Sequence, residues 1–128
     1  MKVIDFDHIV LNVADVERSL TFYTETLGLA PVRVAEWRAG RVPFPSVRVS
    51  AGTIIDLLHK PRQTSNVDHF CLVVEPLDWP SVIASGPLKA IEGPVSRFGA
   101  RGEAQSIYIE DPDQNVIELR YYLQASTA

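Results

Sequence analysis

Val3 to Val13 divides its mainly apolar positions between two faces, Ile4, Phe6, His8, Val10 and Asn12 on one and Val3, Ile9, Leu11 and Val13 on the other, with Asp5 and Asp7 near the start. This period of two predicts a strand. The period then changes. Val16, Leu20, Tyr23 and Leu27 recur at helical spacing behind Asp15, whose side chain can cap a helix, and Gly28 offers a left-handed stop. Three β-leaning runs follow, Pro31 to Trp37, Arg41 to Ser50 and Thr53 to His59, broken by Ala39-Gly40 and Ala51-Gly52. Pro43 and Pro45 make the middle run an edge or irregular strand. Residues 3–60 therefore read β-α-β-β-β, and the polar, proline-bearing stretch from Lys60 to Asn66 reads as a linker.

After the linker the pattern begins again. Asp7-His8-Ile-Val-Leu11-Asn-Val13 is matched 61 residues later by Asp68-His69-Phe-Cys-Leu72-Val-Val74, identical at four of seven positions, and Ile55-Asp56-Leu57 is matched 62 residues later by Ile117-Glu118-Leu119. An internal repeat sets the architecture. The second half supplies a strand at Val67 to Glu75, a short helix around Asp78 to Ser85 closed by Gly86, and runs near Ala90 to Phe98, Gln105 to Glu110 and Val116 to Tyr122. The expectation is one domain over residues 1–128, made of two modules at about 3–60 and 67–122 joined at 60–66.

The last two runs form a hairpin through Asp111-Pro112-Asp113-Gln114-Asn115, since Pro pre-sets φ and Asp and Asn side chains bond their own backbone. Parity in its second strand puts Val116, Glu118 and Arg120 on one face and Ile117, Leu119 and Tyr121 on the other. If Ile117 and Leu119 pack under a helix, Glu118 points the opposite way. Each half thus offers a histidine on its first strand and a carboxylate on its last: His8, Asp56, His69 and Glu118. Two imidazoles with one or two carboxylates are the ingredients of a divalent-metal site. The two-His, one-carboxylate set suits non-haem iron, and a further carboxylate suits nickel, zinc or manganese. Asp56 is one methylene shorter than Glu118 and is a candidate for a ligand or for a supporting role.

Tyr108 shares a face with Ser106 and lies across the hairpin from the Glu118 strand, where it is either a core residue or one whose hydroxyl exchanges a proton with a bound oxygen. Arg97 and Arg101, around Gly99 and Gly102, either clamp an anionic substrate on a mobile loop or belong to a solvated loop, and Ser106 is a further candidate for substrate binding. His59 is out of phase with Asp56 and reads as surface; Cys71, in an apolar strand, reads as core. Trp37, Phe44 and Phe98 are either core or the walls of a pocket. The single cysteine excludes an internal disulfide, and the net charge of −4 disfavours nucleic acid, which asks for a basic face. Without an apolar run long enough to span a bilayer, the expectation is a cytoplasmic protein with a small-molecule partner.

The sequence resembles the vicinal oxygen chelate superfamily, which groups glyoxalase I, extradiol ring-cleaving dioxygenases, fosfomycin-modifying thiol transferases and bleomycin-binding proteins. The resemblance rests on Asp7-His8-Ile9, Phe22-Tyr23, Leu27-Gly28-Leu29, Asp68-His69-Phe70 and the hairpin from Ser106-Ile107-Tyr108 through Asp111-Pro112-Asp113 to Ile117-Glu118-Leu119. It spans Val3 to Tyr122. The run Arg97-Phe-Gly-Ala-Arg-Gly102 is similar to that of a small, single-chain, glyoxalase-like branch. The resemblance implies an α+β fold of two paired βαβββ modules forming a cup-shaped mixed sheet, usually dimeric. It also implies one divalent metal, Fe, Mn, Ni, Zn or Mg, held by the residues matching His8, His69 and Glu118. Tyr108 falls where the dioxygenase and fosfomycin branches carry a substrate-side tyrosine. Glyoxalase I has Glu where this chain has Asp56, and no segment matches the residues that grip glutathione. The leading function is a metal-dependent enzyme of dioxygenase-like or glyoxalase-like chemistry; the alternative is a metal-free protein that sequesters a drug.

Overall fold

The computed structural model describes residues 1–61, 66–86, 88–110 and 114–123. By its contacts the chain forms two units, His8–Asp68 and a second that joins Met1–Asp7 to the chain from His69 onward. Strand β1 (Val3–Val13) therefore contributes its first residues to one unit and its remainder to the other.

In the unit His8–Asp68, α1 (Val16–Thr21) starts where Asp15 leaves extended backbone and its carboxylate accepts the Arg18 amide at 3.0 Å. Val16 and Leu20, one turn apart, are buried with Val47 and Leu57, and Val13, Tyr23, Val34, Trp37 and Ile55 pack around them. Beyond Thr21 the helix widens into a π-helical turn over Phe22–Thr26, with the Leu27 amide bonded to the Phe22 carbonyl. That extra residue per turn rotates Leu27 away from the core stripe, so the fourth position of the helical pattern is exposed. Gly28, at φ 77°, turns the chain out.

The run Pro31 to Trp37 does not form one strand. Ala30–Val32 is a short strand, β2, and Val34–Arg38 is a helix, α2. Arg33 sits at φ 57° between them, and the helix brings Val34 and Trp37, three residues apart, to the same core, which an alternating strand does not do. Trp37 is thus a core residue. The next run is a strand only over Ser46–Ser50 (β3), after the two prolines, which lack the N–H a ladder needs. Of the two expectations for this run, it is irregular, with a shift of register against β4 (Thr53–His59) between Arg48 and Ser50, and it is not an edge, since the order is β2-β3-β4-β1. Pairing is antiparallel from β2 to β4 and parallel between β4 and β1.

The other unit repeats the scheme with β5 (Val67–Val74), α3 (Trp79–Ser85), β6 (Glu92–Gly99), β7 (Gly102–Glu110) and β8 (Val116–Arg120), in the order β5-β8-β7-β6. The first and last strands are again parallel and the others antiparallel. Asp78 caps α3 by accepting the Ser81 amide, and Val74, Trp79, Ile107 and Leu119 form the core, with Ile83, Ile117 and Tyr121 packed against it. Ile117, Leu119 and Tyr121 thus face the helix side as parity requires. The initial residues of β1 join this unit: Lys2 accepts the Glu75 amide, and the Phe6 ring stacks on Phe70. Residues 111–113 of the expected hairpin turn and 62–65 of the linker lie outside the described residues; Gln114, at φ 67°, is a left-handed residue beside that turn. Among the described residues no helix is long and apolar enough to cross a membrane.

Candidate functional site

The repeat is kept to the residue in strand register. In the unit His8–Asp68, Val10 pairs with Asp56; in the other, Cys71 pairs with Glu118. Because β1 and β4 are parallel and side chains alternate, His8, two residues before Val10, shares a face with Asp56. His8 and Asp56 are both buried, with Nε2 to Oδ2 at 3.7 Å. The opposite carboxylate oxygen, Oδ1, accepts the Ser46 hydroxyl at 2.5 Å, and Arg33 Nη2 lies 3.0 Å from that hydroxyl and 3.9 Å from the oxygen itself.

His69 and Glu118 form the equivalent pair. His69 Nε2 lies 3.0 Å from Glu118 Oε1, and Glu118 is 1% exposed. Its other oxygen, Oε2, accepts the Ser106 hydroxyl at 2.7 Å and Arg120 Nη1 at 3.0 Å. Both halves thus use a serine on the neighbouring strand and an arginine to hold one carboxylate oxygen, leaving the other toward a histidine. The serines do not occupy equivalent positions. Ser46 lies directly opposite Asp56, whereas Ser106 lies opposite Arg120 and the place across from Glu118 is taken by Tyr108.

Tyr108 meets His69 edge to face, with ring centroids 5.3 Å apart, and the Arg97 guanidinium lies 5.8 Å from its ring centre. Burial raises its phenol pKa well above the usual value, and the Glu118 charge adds to this while Arg97 works the other way. Arg97 is engaged by Glu92 at 2.7 Å. Arg101 pairs with Asp5 and stacks over Tyr122 at 5.3 Å, so its charge is directed to the strand start rather than to Tyr108. Cys71 is buried and His59 exposed.

Sequence reasoning missed the buried network beneath these residues. Arg120 is fully buried and donates to the carbonyls of Arg97, Phe98 and Gly102 as well as to Glu118. Tyr122 donates to Asp7 Oδ1 at 2.5 Å, and Asp7 Oδ2 accepts the Ala100 amide at 2.9 Å. Burial, and next the bond to Asp7, raise the Tyr122 pKa. The one signal for Asp7 was its place in the repeat, beside His8 as Asp68 is beside His69. The stretch 97–102, which the sequence offered as a substrate-clamping loop, is the tip of the β6–β7 hairpin, fastened from below by Arg120.

A duplicated unit whose first and last strands are parallel, with a buried or half-buried histidine facing a buried carboxylate in each copy, defines a class of protein. The chain belongs to the Glyoxalase/Bleomycin resistance protein/Dioxygenase superfamily, whose model matches residues 5–119. It is 35% identical to the virulence protein STM3117 of Salmonella typhimurium, an alignment covering 91% of this chain and 83% of the relative. Its fold is shared with the 2,3-dioxygenase LapB of Pseudomonas sp. KL28, at TM-score 0.68, 18% identity and 94% of this chain against 43% of that one. It is also shared with methylmalonyl-CoA epimerase from Mycobacterium tuberculosis, at TM-score 0.64, 18% identity and 98% and 93% of the two chains. The α+β fold expected from the sequence is therefore the observed one.

Proposed function

We propose that this chain is a metal-dependent enzyme acting on a small molecule that presents two neighbouring oxygens, as a diol, a hydroxy-carbonyl or an epoxide does. Its divalent cation is held by His8, His69 and Glu118, with Asp56 as a further candidate ligand. The observation that carries the reading is the His69–Glu118 pair. Two donors bound to one small dication at about 2.1 Å and at right angles lie about 3.0 Å apart, and this is the separation of His69 Nε2 and Glu118 Oε1. These two donors therefore suit adjacent positions on one cation. A bound cation supplies Lewis-acid polarisation of the substrate oxygens.

The chain's own residues do the rest. Tyr108, kept a phenol by burial, donates a hydrogen bond to a substrate oxygen beside His69. Ser106 orients Glu118, and Arg97, over the Tyr108 ring, offers its guanidinium to an anionic substituent by exchanging it for Glu92. Dioxygenase-like and glyoxalase-like lyase or isomerase reactions both draw on this arrangement. The metal-free reading, a protein that sequesters a hydrophobic or cationic drug, is not favoured, because such a site has no need of histidine and carboxylate donors at ligand spacing.

Apolar surface at Val3, Ile4 and Phe6 supports assembly into a homodimer, which light scattering at micromolar concentration checks. The central test is elemental analysis of protein purified without chelator. About one divalent ion per chain is expected in the wild type, with severe loss in His69→Ala and His8→Ala and a smaller loss in Asp56→Ala. Full metal content in His69→Ala would overturn the assignment.

A further inference from the structure

We propose that Arg120, acting with Ser106, is a positioning residue that makes Glu118 a one-oxygen ligand and couples that carboxylate to the tip of the β6–β7 hairpin. The inference rests on the metal reading above. Arg120 is fully buried, and its guanidinium has a fixed donor pattern: Nη1 to Glu118 Oε2 and the Phe98 carbonyl, Nη2 to the Arg97 and Gly102 carbonyls. The Tyr122 ring lies 5.1 Å from its centre, on a side chain that is itself bonded to Asp7. A planar fork held at four acceptors has little freedom.

Glu118 inherits that rigidity. Ser106 and Arg120 both donate to Oε2, so turning both oxygens toward one cation sets coordination by Oε2 against two hydrogen bonds, one of them from a buried guanidinium. Oε1 alone is presented, at 3.0 Å from His69 Nε2. The other unit supports this independently, because Ser46 and Arg33 gather on one oxygen of Asp56 while the second faces His8. A one-oxygen carboxylate keeps more of the coordination sphere for substrate than a chelating one. It also means that displacing the hairpin tip, through the three carbonyls Arg120 holds, disturbs a ligand several residues away.

A purely structural ion pair predicts something different: loss of stability on substitution, with metal binding unchanged in whatever remains folded. The experiment is titration of the chelator-treated protein with Co(II), read by visible absorption and by affinity, for wild type, Arg120→Met, Ser106→Ala and Ser106→Thr, each first checked for folding by circular dichroism. Ser106→Ala and Arg120→Met are expected to weaken Co(II) binding by about 10–100-fold, the usual effect of removing a group that orients a ligand, and to change the cobalt spectrum as the carboxylate reorients. Ser106→Thr, which keeps the hydroxyl, restores both. A folded Ser106→Ala protein with wild-type affinity and spectrum would overturn the inference even if Arg120→Met fails to fold. Absence of Co(II) binding by the wild type would instead remove the metal reading and this inference with it.

Discussion

At the scale of single residues, what distinguishes the two halves is the side chain opposite the carboxylate. Ser46 fills that place across from Asp56 and is used to support it; Tyr108 fills it across from Glu118, and support moves to Ser106. The duplicated plan thereby acquires a phenol hydroxyl beside His69. Tyr108 and Tyr122 both have phenol pKa values raised by burial first. Below about pH 10 tyrosine is neutral in the folded and unfolded chains alike, so nothing is lost there; above it the unfolded chain releases these protons before the folded one does, and stability falls with rising pH. Thermal unfolding at pH 9, 10 and 11 is expected to show a decline in melting temperature that is shallower in Tyr122→Phe. An equal slope would mean that Tyr122 ionises as freely in the fold as out of it. The candidate ligands His8, His69, Asp56 and Glu118 were legible in the sequence because repeat spacing and strand parity are properties of the chain itself. Arg120 shares Glu118's face and was visible to the same parity, but its reach to three carbonyls of another strand pair depends on tertiary placement. Tyr122 continues that parity just past the end of β8, but its bond to Asp7 likewise depends on tertiary placement.

Among the elements, the β6–β7 hairpin departs furthest from expectation. Glycine at 99 and 102 and arginine at 97 and 101 read as a mobile clamp, yet the tip is tied to Arg120, Tyr122 and Asp7. Gly99 permits the close approach, since a Cβ there overlaps the Tyr122 hydroxyl and the Arg120 guanidinium. Gly99→Ala is expected to push both aside and to destabilise by about 1–3 kcal/mol, as overpacking of a filled site does, with faster hydrogen exchange at Ala100. Unchanged exchange would place the restraint on the hairpin elsewhere. Helix starts were readable, since Asp15 and Asp78 announce them by side-chain chemistry; Asp15→Ala is expected to cost about 1 kcal/mol in urea unfolding. The π-helical turn and α2 were not. Helix α2 brings Val34 and Trp37 onto the Val16–Leu20 core, which local β preference does not encode.

For the molecule as a whole, the proposed cation links folding to binding. Each half carries a buried carboxylate near a buried or half-buried histidine, groups that cost free energy to remove from water and that an ion bound only to the folded chain compensates. Such an ion stabilises by mass action, about 2.7 kcal/mol at a free concentration one hundred times the dissociation constant, and for a domain of this size that corresponds to a rise on the order of 10 °C in melting temperature. Chelator is therefore expected to lower the wild-type melting temperature by several degrees and to change that of Glu118→Gln far less. The amide keeps the shape and the Ser106 contact, but it lacks the charge that holds a dication. Asp56→Asn provides the contrast across the repeat. If Asp56 is a supporting residue its variant retains most of the chelator response, and if it is a ligand the response falls as it does at Glu118. Equal chelator sensitivity in all three proteins, with equal metal content, would leave the superfamily fold in place and detach the carboxylates from its chemistry.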